Sequence, residues 1–273
     1  MRKEFNLQEF HHRLLLLMKE VHKICIDNDI QYTLLGGSLI GAVRHRGFIP
    51  WDDDMDIGMT YDNYCRFIDV VFSKQHDWIE FDLAGRTDYY YPFIKACDKR
   101  TTFLENLRDD TKGIFIDIFP ISYAGNTYLE AFKEFKKHRY YQSVLKRKSY
   151  RYTTGFLRER VLSWLAHFYS VDYLMGKIYT HYKTLNQTKK VFSSDMDGTK
   201  KGIVPSDIFE SYKMYAFEDC ELMGVADFDR YLGLVFGNYM ELPPENQRTP
   251  HHTEYINLDM PYAEYNKQKD EKY

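Results

Sequence analysis

A chain of 273 residues with 44% hydrophobic and 28% charged content can bury a sizeable core without disulfides or structural metals, as one large domain or as a domain with a helical appendage. Its four cysteines, Cys25, Cys65, Cys97 and Cys220, are scattered without C-x-x-C spacing, which argues against a zinc site or a disulfide framework and fits a reducing compartment. The net charge of -3 hides an asymmetry: residues 133–160 carry +8, leaving -11 for everything else. Residues 7–29 place Leu7, Phe10, Leu14, Leu17, Val21, Ile24 and Cys25 at spacings of three and four, which predicts an amphipathic helix ending at Asn28 and Asp29. His11, His12 and His22 read as solvent-facing, since no carboxylate stands near them at a metal-ligand spacing. The apolar patch Leu14 to Met18 is closely flanked by charges and followed by no small-residue cleavage site, and no stretch approaches the roughly 18 apolar residues of a membrane span. A cytoplasmic location is expected, with any membrane contact peripheral, at the inner face.

Ile30 to Leu35 reads as a short strand delivering Gly36 and Gly37, after which Ser38 is expected to cap a short helix carrying Leu39, Ile40, Ala42 and Val43. Backbone N–H groups at such a helix start suit phosphate oxygens. The chain turns through Arg44, His45, Arg46, Gly47 and Pro50 into the run Trp51, Asp52, Asp53, Asp54, Met55, Asp56, Ile57. As a strand this run puts Asp54 and Asp56 on one face and Met55 and Ile57 in the core. Tyr61 to Ser73 is a predicted helix with Tyr64, Phe67, Ile68 and Val71 inward; Trp78 to Ala84 and Tyr89 to Ala96 are predicted strands around a turn at 85–88.

Gly113 to Phe119 is an almost wholly apolar strand that Pro120 should stop. Asp117 interrupts it, sharing a face with Phe115 and Phe119 while Ile114, Ile116 and Ile118 fill the other. A carboxylate there costs several kcal/mol unless it is paired or metal-bound, so Asp117 is a functional candidate on physical grounds, against the plainer reading of a solvent-facing aspartate at the sheet rim. From 126 to about 190 the pattern is helical and basic, with a break at Thr153 to Gly155 and a helix over Arg158 to Leu174. Its basic residues form either a solvated face beside the sheet or a surface (Lys136, Lys137, Arg139, Lys146, Arg147, Lys148, Arg151) for an anionic partner such as lipid headgroups. No nucleic-acid motif accompanies the charge, and no nucleic-acid partner is expected. Residues 193–202 form a polar loop whose Asp-x-Asp-Gly lacks the glutamate a calcium loop requires. Strands around Ile203 to Phe209 and Tyr212 to Phe217, a helix at Phe228 to Asn238 and a loop tail with a frayed end complete the reading.

Two aspartates on one strand face and a third on a neighbouring strand make an oxygen-rich site for Mg²⁺ or Mn²⁺. Two such ions, about 4 Å apart, suit phosphoryl transfer. Gly36, Gly37 and Ser38 would hold a phosphate, and Lys95, Arg44 and Arg46 would neutralise the remaining charge.

The ordered combination is more specific than any part of it. It resembles the nucleotidyltransferase superfamily, and GGSLIGAVRHRGFIPWDDDMDIG at 36–58 is similar to the signature block of the LicD family of phosphocholine transferases, relatives of fukutin-type enzymes. YPFIKACDKRT at 91–101, GIFIDIFPI at 113–121 and YLGLVFGNYMELPPENQRTPHH at 231–252 resemble later blocks of that family. The resemblance implies an α/β (α+β) fold, a mixed sheet flanked by helices. Its parts would be a catalytic core over 1–125, a basic helical insertion at 126–190 and a C-terminal part, 191–273, packing back on the core. It implies transfer of phosphocholine from CDP-choline to a sugar hydroxyl of a lipid-linked teichoic acid or lipopolysaccharide precursor, with CMP leaving. Asp54, Asp56 and Asp117 would then be the metal-binding carboxylates, and Asp117 would help deprotonate the acceptor. Asp52 and Asp53 would be outer or cation-facing groups. Trp51, Tyr89, Tyr90 and Tyr91 are the candidates for holding choline's quaternary ammonium. His251 and His252 match the tail block without an assigned chemistry. The competing readings keep the site with another donor (ribitol, glycerol or nucleotidyl phosphate), or make the chain a non-catalytic adaptor on membranes or anionic polymer.

Overall fold

The first helix, α1 (Leu7–Asp27), begins where the Asn6 side chain accepts hydrogen bonds from the N–H groups of Gln8 and Glu9. It buries the expected stripe, Phe10, Leu14, Leu17, Val21 and Cys25, together with Leu15 and Met18. This is a computed structural model, and it describes residues 6–105, 111–149, 157–196, 198–250 and 253–271. After α1 come β1 (Thr33–Leu34), α2 (Gly36–Ile40) running on into one π-helical turn (Gly41–His45), β2 (Asp56–Thr60), α3 (Tyr61–Phe72), β3 (Ile79–Asp82), β4 (Ile94–Asp98) and β5 (Thr102–Glu105). The long strand β6 (Phe115–Gly125) leads into α4 (Tyr128–Lys146), α5 (Leu157–Phe168) and α6 (Val171–Leu185). The rest comprises β7 (Phe192–Ser194), β8 (Val204–Pro205), β9 (Tyr212–Phe217), β10 (Cys220–Val225), α7 (Phe228–Phe236), β11 (Thr253–Asn257) and α8 (Tyr262–Asp270).

The main sheet has the order β1, β2, β6, β4, β3, with β7 attached to β6 and β8 to β7. Only β2 and β6 run parallel; β1, β3, β4, β7 and β8 pair antiparallel. It is the mixed sheet flanked by helices that the motif order implies, and α1, α3, α4 and α6 all contact β6. Met55, Ile57, Met59, Ile114, Ile116 and Ile118 are buried on one side of it, as the alternation requires. Smaller antiparallel pairs join β9 to β10 and β5 to β11.

Several expected boundaries move. Pro120 lies inside β6 instead of stopping it. The Asp117 N–H points to β2, donating to the Met55 carbonyl, so by alternation position 120 faces the other side, where pairing with β4 has already ended at Ile118. No ladder bond is lost there. The strand expected over 51–57 starts only at Asp56, leaving Asp54 in the approach to it, and the strand expected over 89–96 starts at Ile94, leaving Tyr89 to Tyr91 in a loop. The helix expected over 158–174 is two helices, broken at Ser170, whose side chain accepts from Tyr173 N–H to start α6. Ile203 to Phe209 holds only β8 and a short 3-10 turn; the loop expected over 243–252 carries only a 3-10 turn among its described residues, β11 follows it, and α8 runs into the end expected to fray. The predicted break at 153–155 and the tail residues His251 and His252 lie outside the described residues.

Candidate active site

The register of the sheet brings four charged side chains into one row on the face opposite Ile57 and Ile118. Asp56 on β2 stands beside Asp117 on β6, Asp117 beside Lys95 on β4, and Lys95 beside Asp82 on β3. Lys95 is only 3% exposed, with its Nζ 3.5 Å from Asp117 Oδ1 and 3.0 Å from the centre of the Phe115 ring. At the far end, Lys112 pairs with Asp82 at 3.2 Å and with Glu80 at 3.0 Å.

Asp56 is the electrostatic centre. Burial first, then the negative charges of Asp54, Asp117, Asp52 and Asp195, push its carboxyl well above the ordinary aspartate range. Asp195 was not expected here, since the sequence placed it in a discounted calcium-like loop. It arrives because β7 pairs with β6, Ser194 opposite Ser122, and Asp195 is the next residue. Among the described residues, no three His, Cys, Asp or Glu side chains stand in a ready-made metal-binding arrangement. The donor set is nonetheless all oxygen and its carboxylates repel one another, which suits a hard divalent cation such as Mg²⁺ or Mn²⁺.

The glycine turn is tied to this centre by backbone contacts. Leu35 N–H donates to the Asp56 carbonyl at 3.0 Å, and Asp56 N–H donates to Ser38 Oγ at 2.9 Å. Ser38 therefore does not cap α2, whose N-cap is Leu35; its hydroxyl holds the start of β2. Gly36 has φ +51, and a Cβ on Gly37 would run into the Asp52 carboxylate. Asp53 is buried, at 2% exposure. His11 is half-buried, not solvent-facing: its Nε2 donates to the Asp52 carbonyl at 2.7 Å and its ring stacks on Phe48 at 4.3 Å. Burial lowers its pKa. His22 is likewise half-buried, within 2.8 Å of the Tyr32 hydroxyl. A cleft of about 600 Å³ between α1 and the Phe48 to Pro50 loop is lined by His11 and Glu218 but by none of the site carboxylates.

Arg44 donates through Nη1 to the carbonyls of Tyr239, at 2.7 Å, and Glu241, at 3.3 Å. Arg46 is exposed, at φ +57 where the helical run ends. Arg248, absent from the expected set, donates to the Pro243 carbonyl and lies 5.3 Å over the Trp51 ring. Burial of Arg44 itself, and then the charge of Arg248, lower the Arg44 pKa.

The expected aromatic group is divided. Trp51 meets His45 and Arg248, whereas Tyr89 stacks on Tyr91 at 5.2 Å, Tyr91 meets Phe93 at 5.1 Å, and Phe93 meets Phe119 at 4.6 Å. Tyr90 is half-buried. Phe119 is two residues beyond Asp117 on the same face, so this aromatic row lies about 6.6 Å from the charged row. A cation already rests on it: Lys146, the last residue of α4, holds its Nζ 4.5 Å from the Tyr91 ring centre and 5.5 Å from that of Phe93. Lys146 belongs to the basic set that was expected to face outward. Lys148 also turns inward, donating to the Ala166 carbonyl at 2.7 Å, and Arg139 bonds Gln142. Position 151 is outside the described residues.

Comparison with known proteins places the chain among relatives of known family. The LicD/FKTN/FKRP nucleotidyltransferase domain profile matches residues 29–159. The chain is 31% identical over 264 residues to the lipopolysaccharide cholinephosphotransferase LicD of Haemophilus influenzae, covering 92% of this chain and 97% of that protein. A shorter match, 57% identical over 30 residues (11% of this chain, 6% of the relative), is to the human ribitol 5-phosphate transferase FKRP.

Proposed function

The chain belongs to the LicD family, and from that premise we propose that it is a metal-dependent phosphotransferase. It moves phosphocholine from CDP-choline to a sugar hydroxyl of a lipid-linked cell-surface glycan precursor, of the lipopolysaccharide or teichoic acid kind, and releases CMP. The observation that carries the reading is the charged row of Asp56, Asp117 and Lys95 with an aromatic row directly beside it, already visited by an ammonium group.

The acceptor oxygen attacks the phosphorus that bears choline. One O–P bond forms, the bond from that phosphorus to the bridging oxygen breaks, CMP leaves with the bridging oxygen, and the acceptor proton passes to a carboxylate. Asp117 is partly exposed, and Lys95 beside it fixes its orientation. Held by Asp54, Asp56 and Asp117, one or two Mg²⁺ or Mn²⁺ ions would neutralise the phosphates and polarise the reacting bond. Asp195 and Asp52 add to the field that makes a cation welcome. Ser38 sets the position of Asp56, and the Gly36 and Gly37 turn with Arg44 and Arg46 borders the phosphate side.

Choline's quaternary ammonium takes the face of Tyr91, Phe93 and Phe119, displacing the Lys146 ammonium; Tyr89 backs Tyr91. Trp51, paired with Arg248 and His45, is assigned to the nucleotide side. An acceptor carried on lipid calls for peripheral contact with the cytoplasmic face of a membrane, and segment 133–160 supplies the positive charge for it.

The test is CMP release by purified protein with Mg²⁺ and CDP-choline. Release is expected only when a sugar acceptor is added, and Asp54→Ala should abolish it; undiminished turnover in that variant would sink the reading. The short FKRP match favours ribitol phosphate as the second donor to try. Thermal shift with CDP-choline, CDP-ribitol and CDP-glycerol ranks the donors, because a ligand of the folded state raises the midpoint.

A further inference from the structure

We propose that helix α5 docks the protein onto an anionic lipid bilayer through an outward apolar stripe of Leu157, Val161, Trp164 and Phe168. These side chains are 77%, 46%, 61% and 65% exposed. Their spacing of four, three and four places them along a single line of the helix. The core does not need this face: Leu162 and Ala166, on the opposite side of α5, are the residues buried against the rest of the protein. Trp164 and Phe168 pack edge to face at 4.7 Å, forming one continuous apolar ridge. Half-exposed Tyr140 and Tyr173 stand close to Tyr169, the residue that follows α5. Trp and Tyr beside aliphatic residues make the composition of a surface that enters the headgroup boundary.

Charge selects the occupant. Residues 133–160 carry +8, and among them Lys133, Lys136 and Lys137 on α4 and Arg160 on α5 are exposed. A symmetric contact with a second copy would set two such segments against each other, whereas anionic headgroups complement them. No helix among the described residues is long and apolar enough to cross a membrane, and α5, with 12 residues and a length of about 18 Å, suits lying in the interface plane. The lysines at the end of α4 do not make this contact, because Lys146 rests on Tyr91 and Phe93 and Lys148 is bonded to Ala166. Those same contacts tie α5 to the aromatic row of the active site. The docked ridge thus holds the site at the surface where a lipid-linked acceptor is presented. Only this purpose rests on the proposed reaction; the contact itself does not.

The experiment is flotation with phosphatidylcholine vesicles containing about one quarter phosphatidylglycerol. Wild type is expected to float with these and about tenfold less with pure phosphatidylcholine, and the double variant Trp164→Glu, Phe168→Glu should lose flotation about tenfold while keeping its melting temperature. Tryptophan emission should shift to the blue on adding vesicles and be quenched by brominated lipid. Trp164→Phe should float normally and lose both signals, since Trp51 and Trp78 are already partly buried. Equal flotation of wild type and the double variant overturns the proposal, as does a wild type that does not float. A concentration-dependent dimer that the double variant abolishes would also overturn it, by assigning the ridge to a second copy. Turnover with a lipid-free sugar acceptor separates the two proposals. The double variant should retain it if both hold, and flotation without any turnover of CDP-choline would remove the catalytic reading alone.

Discussion

Gly36 and Gly37 stand side by side for different reasons. Gly36 adopts φ +51, where a side chain would be strained by about 1 kcal/mol, while Gly37 leaves room for the carboxylate of Asp52. Gly37→Ala is therefore expected to push Asp52 away, destabilising the fold by about 1–3 kcal/mol and cutting turnover, as a thermal melt and steady-state kinetics will read. Ser38 makes a sharper test. If its hydroxyl acts by accepting the Asp56 N–H, Ser38→Ala lowers kcat and costs about 1 kcal/mol of stability, with little change in KM for the donor. A raised KM with unchanged kcat would instead place Ser38 on the donor's phosphate. The Gly-Gly-Ser signal was legible in the sequence because three small residues before an apolar run have few other uses. What the serine holds was not, since its partner lies 18 positions away, across the β1 and β2 pairing. Asp195 and Arg248 were hidden for the same reason: each reaches the site through a long-range contact that no local spacing announces.

At the scale of elements, the least expected part is the hairpin of β9 and β10. Phe217 pairs with Cys220, so the turn is Glu218 and Asp219, where the usual sequence signal would be Asn-Gly or another glycine-bearing pair. Glu218 takes φ +52 without that signal, and β10 was missed. The turn is held from outside: Glu218 N–H donates to the Arg46 carbonyl at 2.7 Å, and its carboxylate accepts from Phe48 N–H at 3.0 Å. The hairpin thereby clamps the basic loop that leads into the aspartate run. Glu218→Ala, by removing the acceptor of a part-buried N–H, should cost about 1–3 kcal/mol and lower kcat/KM through the loop it holds. Unchanged melting and kinetics would show that the loop keeps its shape without the clamp. By contrast α1, α3 and β6 were legible because periodic burial alone defines them, and the strand faces of Ile57 and Asp117 followed from alternation. The split of the helix expected over 158–174 was not. Val161 and Phe168 stand at helical spacing with buried Leu162, yet face outward, because periodicity reports an apolar face without saying what covers it.

For the molecule as a whole, the fold gathers acidic groups from three distant segments, Asp52, Asp54 and Asp56, then Asp117, then Asp195, around the Asp56 carboxyl. Lys95 answers only part of that charge. An aspartate whose pKa is raised on folding binds its proton more tightly in the native than in the unfolded chain, so stability falls as pH rises. The advantage is complete below the ordinary value of 3.8 and is lost as pH passes through the raised pKa of Asp56. The metal-free protein should therefore melt at lower temperature at neutral than at mildly acidic pH, by more than Asp56→Asn does, because the amide carries no charge at either pH. A divalent cation bound by the ionised cluster acts in the opposite direction. At a concentration about 100 times its Kd it adds about 2.7 kcal/mol, which for a chain of this size raises the melting temperature by about 5–10 °C. That gain should grow as pH rises, since the carboxylates must be deprotonated to ligate. Chelation should reverse it, and Asp56→Asn should lose it while being at least as stable as the metal-free wild type at neutral pH. Melting curves across pH with and without Mg²⁺, for both proteins, decide the matter without any substrate. If the two proteins share one pH slope and neither responds to Mg²⁺ or Mn²⁺, the carboxylates are not a cation site, and their repulsion must be offset by Lys95 and protonation alone.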